Sequence, residues 1–277
     1  MIKEILVKHG FRFNKQFGQN FISDVNLLGA IVSDAGAGKE DAVLEIGAGA
    51  GALTRALAER CKKVVAFEID KNLKPVLDEV LDGYENVETV FGDIMKIPPE
   101  LIDDKMAEEY KVVANLPYYI TTPVIMNFVE KSTRVVSLTL MVQKEVAERL
   151  CSQPGTKDYG AVTVAVQAAA NVKITRIVKR DMFFPSPNVD SAVVKIDIDK
   201  TKYFIEDYAL FRKTVKCAFA MRRKTLHNNL VGAFGIGKDK ADDILTKLNV
   251  SRDIRGEALG VGQFVELARV LTENGIA

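Results

Sequence analysis

The sequence contains no tryptophan, only three cysteines and only two histidines among its 277 residues. The cysteines, Cys61, Cys151 and Cys217, are odd in number and far apart, which argues against a disulfide framework and against a zinc site. His9 and His227 have no second metal ligand at a suitable spacing in the sequence. We therefore expect no resident metal and no disulfide bonds.

Long hydrophobic runs are also lacking. No run approaches the roughly 20 apolar residues that a membrane helix needs. The first residues include Lys3 and Glu4 and are too short and too charged for the apolar part of a secretory signal. Hydrophobic residues make up 48% and charged residues 27%, as in ordinary soluble proteins. We expect a cytoplasmic protein with one large domain, or with one large and one small domain.

The net charge of +1 predicts no polyanionic partner by itself. Its distribution is uneven, because 14 basic residues stand against 9 acidic ones from Lys200 onward, whereas the rest of the chain has 24 and 28. The segment 212–224 has six basic residues and no acid, and the segment before Asn20 is also basic. Most basic segments are simply solvated faces of a protein, but the presence of two such segments in one chain favours a nucleic-acid partner.

A glycine turn follows the first predicted strand, with glycines at Gly47, Gly49 and Gly51. Glycine allows the backbone to approach a ligand where a side chain would clash. The spacing is not the Gly-x-Gly-x-x-Gly fingerprint of dinucleotide-binding proteins, and alone it is weak evidence for any ligand. Glu68 ends the next predicted strand, 63–68, where a carboxylate can accept hydrogen bonds from both hydroxyls of a ribose.

Asp93 follows the third predicted strand, 87–91, and could accept the amino group of an adenine. A single carboxylate of this kind is more often an exposed charge at a strand end. However, the carboxyl ends of parallel strands meet at one edge of an α/β sheet, and ligands bind at that edge. The glycine turn, Glu68 and Asp93 together predict a nucleoside-binding edge.

A fourth apolar run, 112–114, leads into the tetrapeptide Asn115-Leu116-Pro117-Tyr118. Pro117 cannot continue a central strand. The Asn115 side-chain oxygen and the carbonyl of Leu116 or Pro117 can accept both N–H groups of an amino group on a flat base, and Tyr118 can stack on the ring. The alternative is a strand-ending turn with a surface tyrosine. The three neighbouring strand ends favour base binding.

Two later segments complete the predicted architecture. The aromatic and proline-rich loop 182–187 could place Phe183 opposite Tyr118 as a second stacking ring, or its two phenylalanines could cap the core. From Lys200 the strand pattern stops, and helical spacing appears near 208–219, 224–231, 238–248 and 262–273. We therefore predict an α/β domain over 1–199 and a small all-helical domain over 200–277.

Together these residues resemble the ribosomal RNA adenine N6,N6-dimethyltransferases, in particular the bacterial members that modify small-subunit RNA. The similar stretches are Lys15–Phe21, Glu45–Gly51, Glu68–Asp70, Gly92–Asp93, Asn115–Tyr118, Gln143–Ala147, Phe183–Ser191 and Phe219–Leu226. The glycine motif is widespread among methyltransferases, whereas the tetrapeptide at Asn115 combined with Phe-x-Pro-x-Pro is specific to amino methylation of bases. One departure is Gly256, where this family usually has proline.

The resemblance implies a Rossmann-like, seven-stranded class I methyltransferase sheet with a small all-helical C-terminal domain. It implies S-adenosyl-L-methionine as the methyl donor and, as partner, the small-subunit RNA within a pre-30S particle, bound by a monomer. The implied cofactor-binding residues are Asn20, Ile22, Gly47, Gly49, Glu68, Asp93 and Asn115. The implied catalytic residues are Asn115, Leu116, Pro117, Tyr118 and Phe183. The basic residues expected to bind RNA are Lys15, Arg222, Arg223 and Lys224.

Three other functions remain open from the sequence. A nicotinamide dehydrogenase would need Gly-x-Gly-x-x-Gly and a hydride-transfer partner, and neither is evident. A relative that methylates large-subunit RNA and confers antibiotic resistance would share the catalytic motifs. A non-catalytic assembly or transcription factor on the same fold often lacks parts of the cofactor site, whereas every part is present here.

Overall fold

The computed structural model describes residues 2–14, 18–22 and 24–276. The chain forms two compact units, one made of Met1–Ala147 with Asn171–Ile198 and the other of Glu148–Ala170 with Asp199–Ala277. Across the described ranges, every helix is too short or too polar to span a membrane.

Strands and helices are interspersed as far as β9, and the elements after it are helical. The strands are β1 (Phe21–Ile22), β2 (Ala42–Ile46), β3 (Lys63–Glu68), β4 (Val87–Phe91), β5 (Tyr110–Asn115), β6 (Val135–Gln143), β7 (Ala170–Val178), β8 (Phe183–Phe184) and β9 (Ser191–Ile198). The helices are α1 (Ile2–Lys8), α2 (Val25–Ala35), α3 (Ala52–Ala58), α4 (Lys74–Val80), α5 (Pro99–Met106), α6 (Thr121–Lys131), α7 (Lys144–Leu150), α8 (Ala161–Ala169), α9 (Tyr208–Ala220), α10 (Leu226–Phe234), α11 (Lys238–Lys247) and α12 (Val261–Glu273).

Seven strands form one sheet in the order β4-β3-β2-β5-β6-β9-β7, which confirms the predicted fold class. The strands from β2 to β6 run parallel, and β9 is antiparallel to β6. The order changes direction between β2 and β5, because the chain leaves β2 toward β3 and β4 and returns to β5 on the other side. Ligands of open α/β sheets bind at such a switch point.

β2 is buried along its whole length and β3 along all but its first residue, as a parallel sheet covered on both faces requires. This explains why continuous apolar runs located them in the sequence. Two helices of this unit, α1 and α5, have little signal in the sequence. The first has only seven residues and buries Ile2 and Leu6. The second begins at a pair of prolines and is polar on average, so its periodic signal is weak.

The second unit includes a segment that the boundary at 199/200 assigns to the first domain. Residues 148–170 lie with the C-terminal helices, because Tyr159, Val164 and Ala168 are buried in the same hydrophobic core as Phe211 and Phe264. The predicted division into 1–199 and 200–277 therefore differs from the observed one over this segment. The sequence of residues 148–170 does not indicate which of the two hydrophobic cores its apolar side chains join.

Gly256 is in close contact with α9. A Cβ atom at this position would lie 2.5 Å from the Ala218 carbonyl oxygen and 2.8 Å from the Ala218 Cβ. The backbone of residues 256–258 therefore approaches α9 more closely than any residue with a Cβ, proline included, would permit. This packing accounts for glycine at a position where the family usually has proline.

We expect Gly256→Ala to lower the free energy of unfolding by about 1–3 kcal/mol, the usual cost of overpacking a well-filled site. The matched control is Gly232→Ala within α10, where an added Cβ meets nothing within 4 Å. That change should leave stability unaltered or raise it by about 0.5–1 kcal/mol, because alanine is the better helix former. Denaturant unfolding of both variants tests the prediction, and equal stabilities would contradict it.

Candidate nucleoside-binding site

A cavity of about 350 Å³ opens at the carboxyl edge of the sheet. The loops that follow β2, β3, β4 and β5 all contribute to its wall, together with residues 18–22. These strand ends are in register, since Ile46 lies opposite both Phe67 and Ala114, and Glu68 lies opposite Phe91. The predicted convergence of strand ends at one edge is therefore present.

The glycine turn lies at the centre of this wall. Gly47 and Gly49 adopt left-handed backbone conformations, with φ of +81° and +57°. The N–H groups of Gly47 and Ala48 donate to the Phe67 carbonyl at 2.8 and 3.0 Å, which ties the turn to β3. A Cβ on Gly49 would lie 3.0 Å from the Phe21 ring. Glycine is required here both by φ and by the close approach of this aromatic side chain.

Glu68 is buried, with 5% of its surface exposed, at the end of β3. Its Oε2 accepts the Gly49 N–H at 2.7 Å, and its Oε1 accepts the Asp70 N–H at 2.8 Å. Burial raises the pKa of this carboxyl, and the backbone N–H groups of Asp70, Gly49 and Ile69 oppose that rise. An ionised carboxylate offers about four lone-pair sites, more than these groups use. Glu68 thus fixes the glycine turn and can still accept further hydrogen bonds from the cavity.

Asp93 lies just after β4 and lines the same cavity. Its Oδ1 accepts the Met95 N–H at 3.0 Å and thereby caps a short helical turn. The capping bond orients the carboxylate and uses one oxygen, so the second oxygen is available to a ligand. Asn20 and Ile22, which the sequence also predicts at this site, line the cavity as well.

Asn115 is the last residue of β5, and its amide orientation is set by one hydrogen bond. Its Nδ2 donates to the Asn20 carbonyl at 2.9 Å. Because a carbonyl only accepts, the amide nitrogen must face Asn20 and the Oδ1 must face away from it. Asn115 therefore presents an acceptor at the edge of the cavity. Asn20 contributes through its backbone, which a reading of side chains alone could not have found.

The two neighbouring carbonyl groups differ. The Pro117 carbonyl accepts the Ile120 N–H at 3.2 Å within a short helical turn. Leu116 is anchored through its N–H to the Met141 carbonyl at 3.3 Å, and no intramolecular bond to its own carbonyl is found among the described residues. The sequence left both carbonyls as candidates for the second acceptor. Among the described residues the Leu116 carbonyl keeps both lone pairs, whereas the Pro117 carbonyl has used one.

Tyr118 is held by its hydroxyl, which lies 3.0 Å from the Ser191 hydroxyl. Burial raises the pKa of Tyr118, so the phenol stays neutral over the working pH range of an enzyme. The ring lines the cavity, and its tether to the start of β9 limits its rotation. The sequence analysis did not single out Ser191, because a serine that fixes a remote tyrosine has no periodic or spacing signal.

Phe183 does not line the cavity, as far as the described residues define it. It is 5% exposed and packs in the core of the sheet unit, where β8 pairs with β1 and Phe183 lies opposite Ile22. Phe184 is 41% exposed and packs against the Phe13 ring and the Lys3 ammonium group. The sequence allowed two interpretations of these phenylalanines, a stacking ring opposite Tyr118 or a cap on the core. Phe183 is buried as a core cap here, and the stacking role stays a prediction.

The basic residues expected to contact RNA have different surroundings. Lys15 lies outside the described residues. Arg222 forms an ion pair with Glu257 at 3.2 Å and donates to the carbonyls of Lys157 and Tyr159, at 2.9 and 3.2 Å, so it holds together parts of its own unit. Arg223 and Lys224 are exposed. No group of metal-ligating side chains that could hold an ion is found in the described part of the chain.

The comparisons with known proteins agree with this geometry. The family model of the ribosomal RNA adenine dimethylases matches residues 10–272. The chain belongs to the ribosomal RNA adenine dimethylase family. Members of this family are methyltransferases, and the seven-stranded sheet with its glycine turn is the methyltransferase fold.

Sequence relatives within the dimethylase family match nearly the whole chain. The ribosomal RNA small subunit methyltransferase A of Alkaliphilus oremlandii is 45% identical over 276 residues, covering 98% of this chain and 96% of the relative. The protein of the same name from Clostridioides difficile is 44% identical over 272 residues, covering 97% and 94%.

Solved structures of other dimethylases and rRNA methyltransferases are similar too. A dimethyladenosine transferase from Plasmodium falciparum superimposes with a TM-score of 0.81 at 26% identity, covering 92% of this chain and 98% of the other. The 23S rRNA methyltransferase ErmE superimposes with a TM-score of 0.70 at 26% identity, covering 91% and 100%.

Proposed function

We propose that this protein transfers methyl groups from S-adenosyl-L-methionine to the N6 amino groups of two adjacent adenosines near the 3′ end of small-subunit rRNA, giving N6,N6-dimethyladenosine during small-subunit biogenesis. The observation that carries this proposal is the pair of acceptors at the end of β5, the Asn115 Oδ1 and the Leu116 carbonyl, beside the tethered ring of Tyr118. Membership of the dimethylase family and the high identity to small-subunit methyltransferases support it.

The residues at the strand ends fit the proposed cofactor. The glycine turn presents backbone without side chains at the cavity wall, where a ligand could lie against it, and a Cβ on Gly49 would meet the Phe21 ring. Glu68 would accept the ribose hydroxyls with its remaining lone pairs, and the second oxygen of Asp93 would accept the adenine amino group. Asn20 and Ile22 would cover the ligand from the N-terminal side. When bound, the cofactor supplies a methyl group on a positively charged sulfur.

The target amino group is a poor nucleophile, because its lone pair is delocalised into the adenine ring. Asn115 Oδ1 and the Leu116 carbonyl would each accept one of its N–H bonds. Such contacts would draw the hydrogens out of the ring plane and restore lone-pair density on N6, the atom that would receive the methyl group. The proton released after transfer passes to water, so the site needs no strong base. Alignment of this kind can lower a barrier by as much as about 7–11 kcal/mol.

Tyr118 would stack on the target adenine once that base has left its helix or loop. Base stacking on an aromatic side chain contributes about 1–3 kcal/mol, which offsets part of the few kcal/mol that unstacking costs. The second methylation adds a constraint, since only one N–H remains after the first transfer. One of the two acceptors is then without a donor, and the site must tolerate an N6-methyl group beside it.

RNA would be held mainly by exposed cations outside the reacting centre, including Arg223 and Lys224 in the helical unit. Arg222 would contribute by fixing the fold of that unit. We further propose that the protein acts as a monomer in the cytoplasm, with the RNA presented in a pre-30S particle.

We expect the double change Arg223→Ala and Lys224→Ala to weaken RNA binding. The plot of the logarithm of the association constant against the logarithm of the salt concentration should become less steep by about two, one for each phosphate that these cations neutralise. The double change Lys238→Ala and Lys247→Ala, on α11 of the same unit, is the matched control and should keep the slope. Binding titrations on small-subunit RNA between low and moderate salt measure both. An unchanged slope in the Arg223 and Lys224 variant contradicts their assignment.

The likeness to ErmE favours one other candidate function, methylation of large-subunit RNA. The deciding experiment supplies labelled S-adenosylmethionine with purified small and large subunits from cells that lack both modifications. We expect label in the small-subunit RNA. Label confined to the large subunit would replace the proposal with the ErmE-like one. Cofactor binding without label in either subunit would favour the non-catalytic assembly factor.

A further inference from the structure

Tyr119 is an aromatic residue of the cavity wall to which the proposed function gives no role. It is 61% exposed. Among the described residues, one other exposed large apolar residue lines this wall, Ile69 at 39%. Ile69 follows β3 and is next to Glu68, on the side proposed for the cofactor, whereas Tyr119 lies after β5, on the side proposed for the target base. The base-binding side of the wall therefore carries an uncovered aromatic ring.

The backbone around Tyr119 determines the direction in which its ring can point. Residues Tyr118–Ile120 form a short 3₁₀ turn, and the Pro117 carbonyl accepts the Ile120 N–H at 3.2 Å. Such a turn has three residues per revolution, so neighbouring side chains leave it about a third of a revolution apart. The rings of Tyr118 and Tyr119 therefore cannot stack on the two faces of one base. Each ring offers a separate surface.

The two tyrosines also differ in their contacts. The Tyr118 hydroxyl lies 3.0 Å from the Ser191 hydroxyl, whereas no partner of the Tyr119 hydroxyl is found in the described part of the chain. A Cβ on Gly18 would lie 3.9 Å from the Tyr119 Cε1, so this edge of the ring is near the backbone of residue 18. Most of Tyr119 nevertheless remains open to solvent. A flat ligand stacked on the ring would cover apolar surface that the protein leaves uncovered.

We propose that Tyr119 stacks on the adenosine adjacent to the one being methylated, an inference that rests on the proposed function. The proposed substrate has two target adenosines in succession, and only one of them can occupy the acceptors of Asn115 and Leu116 at a time. The other is joined to it by a single phosphodiester, so it stays near the mouth of the cavity, where Tyr119 is exposed. Stacking suits this task, because every base has a π-face whether or not it is methylated.

Three variants separate the ring of Tyr119 from its other features. Tyr119→Leu keeps an apolar side chain but removes the ring, and Tyr119→Phe removes only the hydroxyl. The matched control is Phe204→Leu, which removes a ring that is 87% exposed and does not line the cavity. The measurements are kcat/KM for small subunits that lack the modification, calorimetric affinity for S-adenosylmethionine, and thermal unfolding.

We expect Tyr119→Leu to lower kcat/KM by about fivefold or more, as the loss of one stack between a base and an aromatic side chain implies. Tyr119→Phe and Phe204→Leu should react as the wild type does. All three variants should bind S-adenosylmethionine and unfold as the wild type does, because the proposed contact involves RNA alone. A role confined to folding would lower the stability of Tyr119→Leu and would not depend on the RNA.

Removal of the neighbouring base tests the contact itself. Small subunits are assembled with RNA whose ligated synthetic 3′ end lacks the base at one of the two adenosines, each in turn, and methylation of the remaining adenosine is measured. With at least one of these two substrates, the wild type and Tyr119→Leu should react equally, because no base is left for the ring to contact. This comparison is a double-mutant cycle between Tyr119 and the base.

Four results would overturn the inference. They are wild-type kcat/KM in Tyr119→Leu, an equal defect in Tyr119→Phe, a loss of affinity for S-adenosylmethionine in Tyr119→Leu, and a defect of Tyr119→Leu that persists at full size with both altered substrates. In each case the wild type still methylates small-subunit RNA, and the proposed function stands. If the wild type methylates no small-subunit RNA, the proposed function falls and this inference falls with it.

Discussion

The variant Asn115→Ala is expected to lower the rate constant for methyl transfer by about 100- to 1000-fold, the usual effect of removing one pre-oriented polar group that acts in a transition state. The Asn115 Oδ1 is pre-oriented because the Nδ2 is bound to the Asn20 carbonyl at 2.9 Å. Alanine removes the acceptor, and the target amino group keeps its lone pair in the ring. Single-turnover kinetics with saturating cofactor and RNA measure the effect.

The same variant should lose much less affinity for S-adenosylmethionine than it loses in the rate constant for methyl transfer. Calorimetry on the cofactor alone therefore separates a loss of chemistry from a collapse of the site. Asn228, an exposed residue of α10, provides the control Asn228→Ala, which should react at the wild-type rate. A wild-type rate for Asn115→Ala would remove Asn115 from the mechanism.

Glu68→Gln is expected to weaken cofactor binding by about 100-fold or more. The carboxylate accepts backbone N–H groups from Gly49 and Asp70 and would also accept the ribose hydroxyls. Glutamine places an NH₂ group where one of these N–H donors points. The backbone of this region then loses a hydrogen bond, and the ligand loses an acceptor. Two hydrogen bonds to a charged group contribute about 1.5–3 kcal/mol each.

Equilibrium binding of S-adenosylmethionine to Glu68→Gln tests the expected loss of affinity. The control is Glu85→Gln, which removes the same charge at an exposed position. Because the hydrogen bonds that this change removes involve the ribose, 5′-methylthioadenosine should lose affinity by a similar factor. Unaltered affinity in Glu68→Gln would show that the end of β3 does not bind the ribose.

The positions of Glu68, Asp93 and Asn115 at one edge were predictable from the sequence for a simple reason. Glu68 and Asn115 end short strands rich in apolar residues, and Asp93 lies two residues after the strand 87–91. Parallel strands bring their carboxyl ends together whatever the details of packing. The all-helical C-terminal segment was equally predictable, because its apolar residues recur at helical spacing. These features depend on local patterns, which a single sequence displays.

Other features depend on tertiary contacts and could not be predicted. Nothing in the sequence around Phe183 indicates that it, rather than Phe184, is buried in the core. Arg222 belongs to a basic run that resembles an RNA contact, yet it is bound to Glu257, 35 residues away.

The most direct test of the central claim is the identity of the nucleoside that this protein makes. Small subunits that lack the modification are incubated with methyl-labelled S-adenosylmethionine and the wild type or Asn115→Ala. Their RNA is then digested to nucleosides and separated. We expect label in N6,N6-dimethyladenosine with the wild type and nearly none with the variant. Label in any nucleoside not methylated at N6, or equal label with both proteins, would contradict the mechanism.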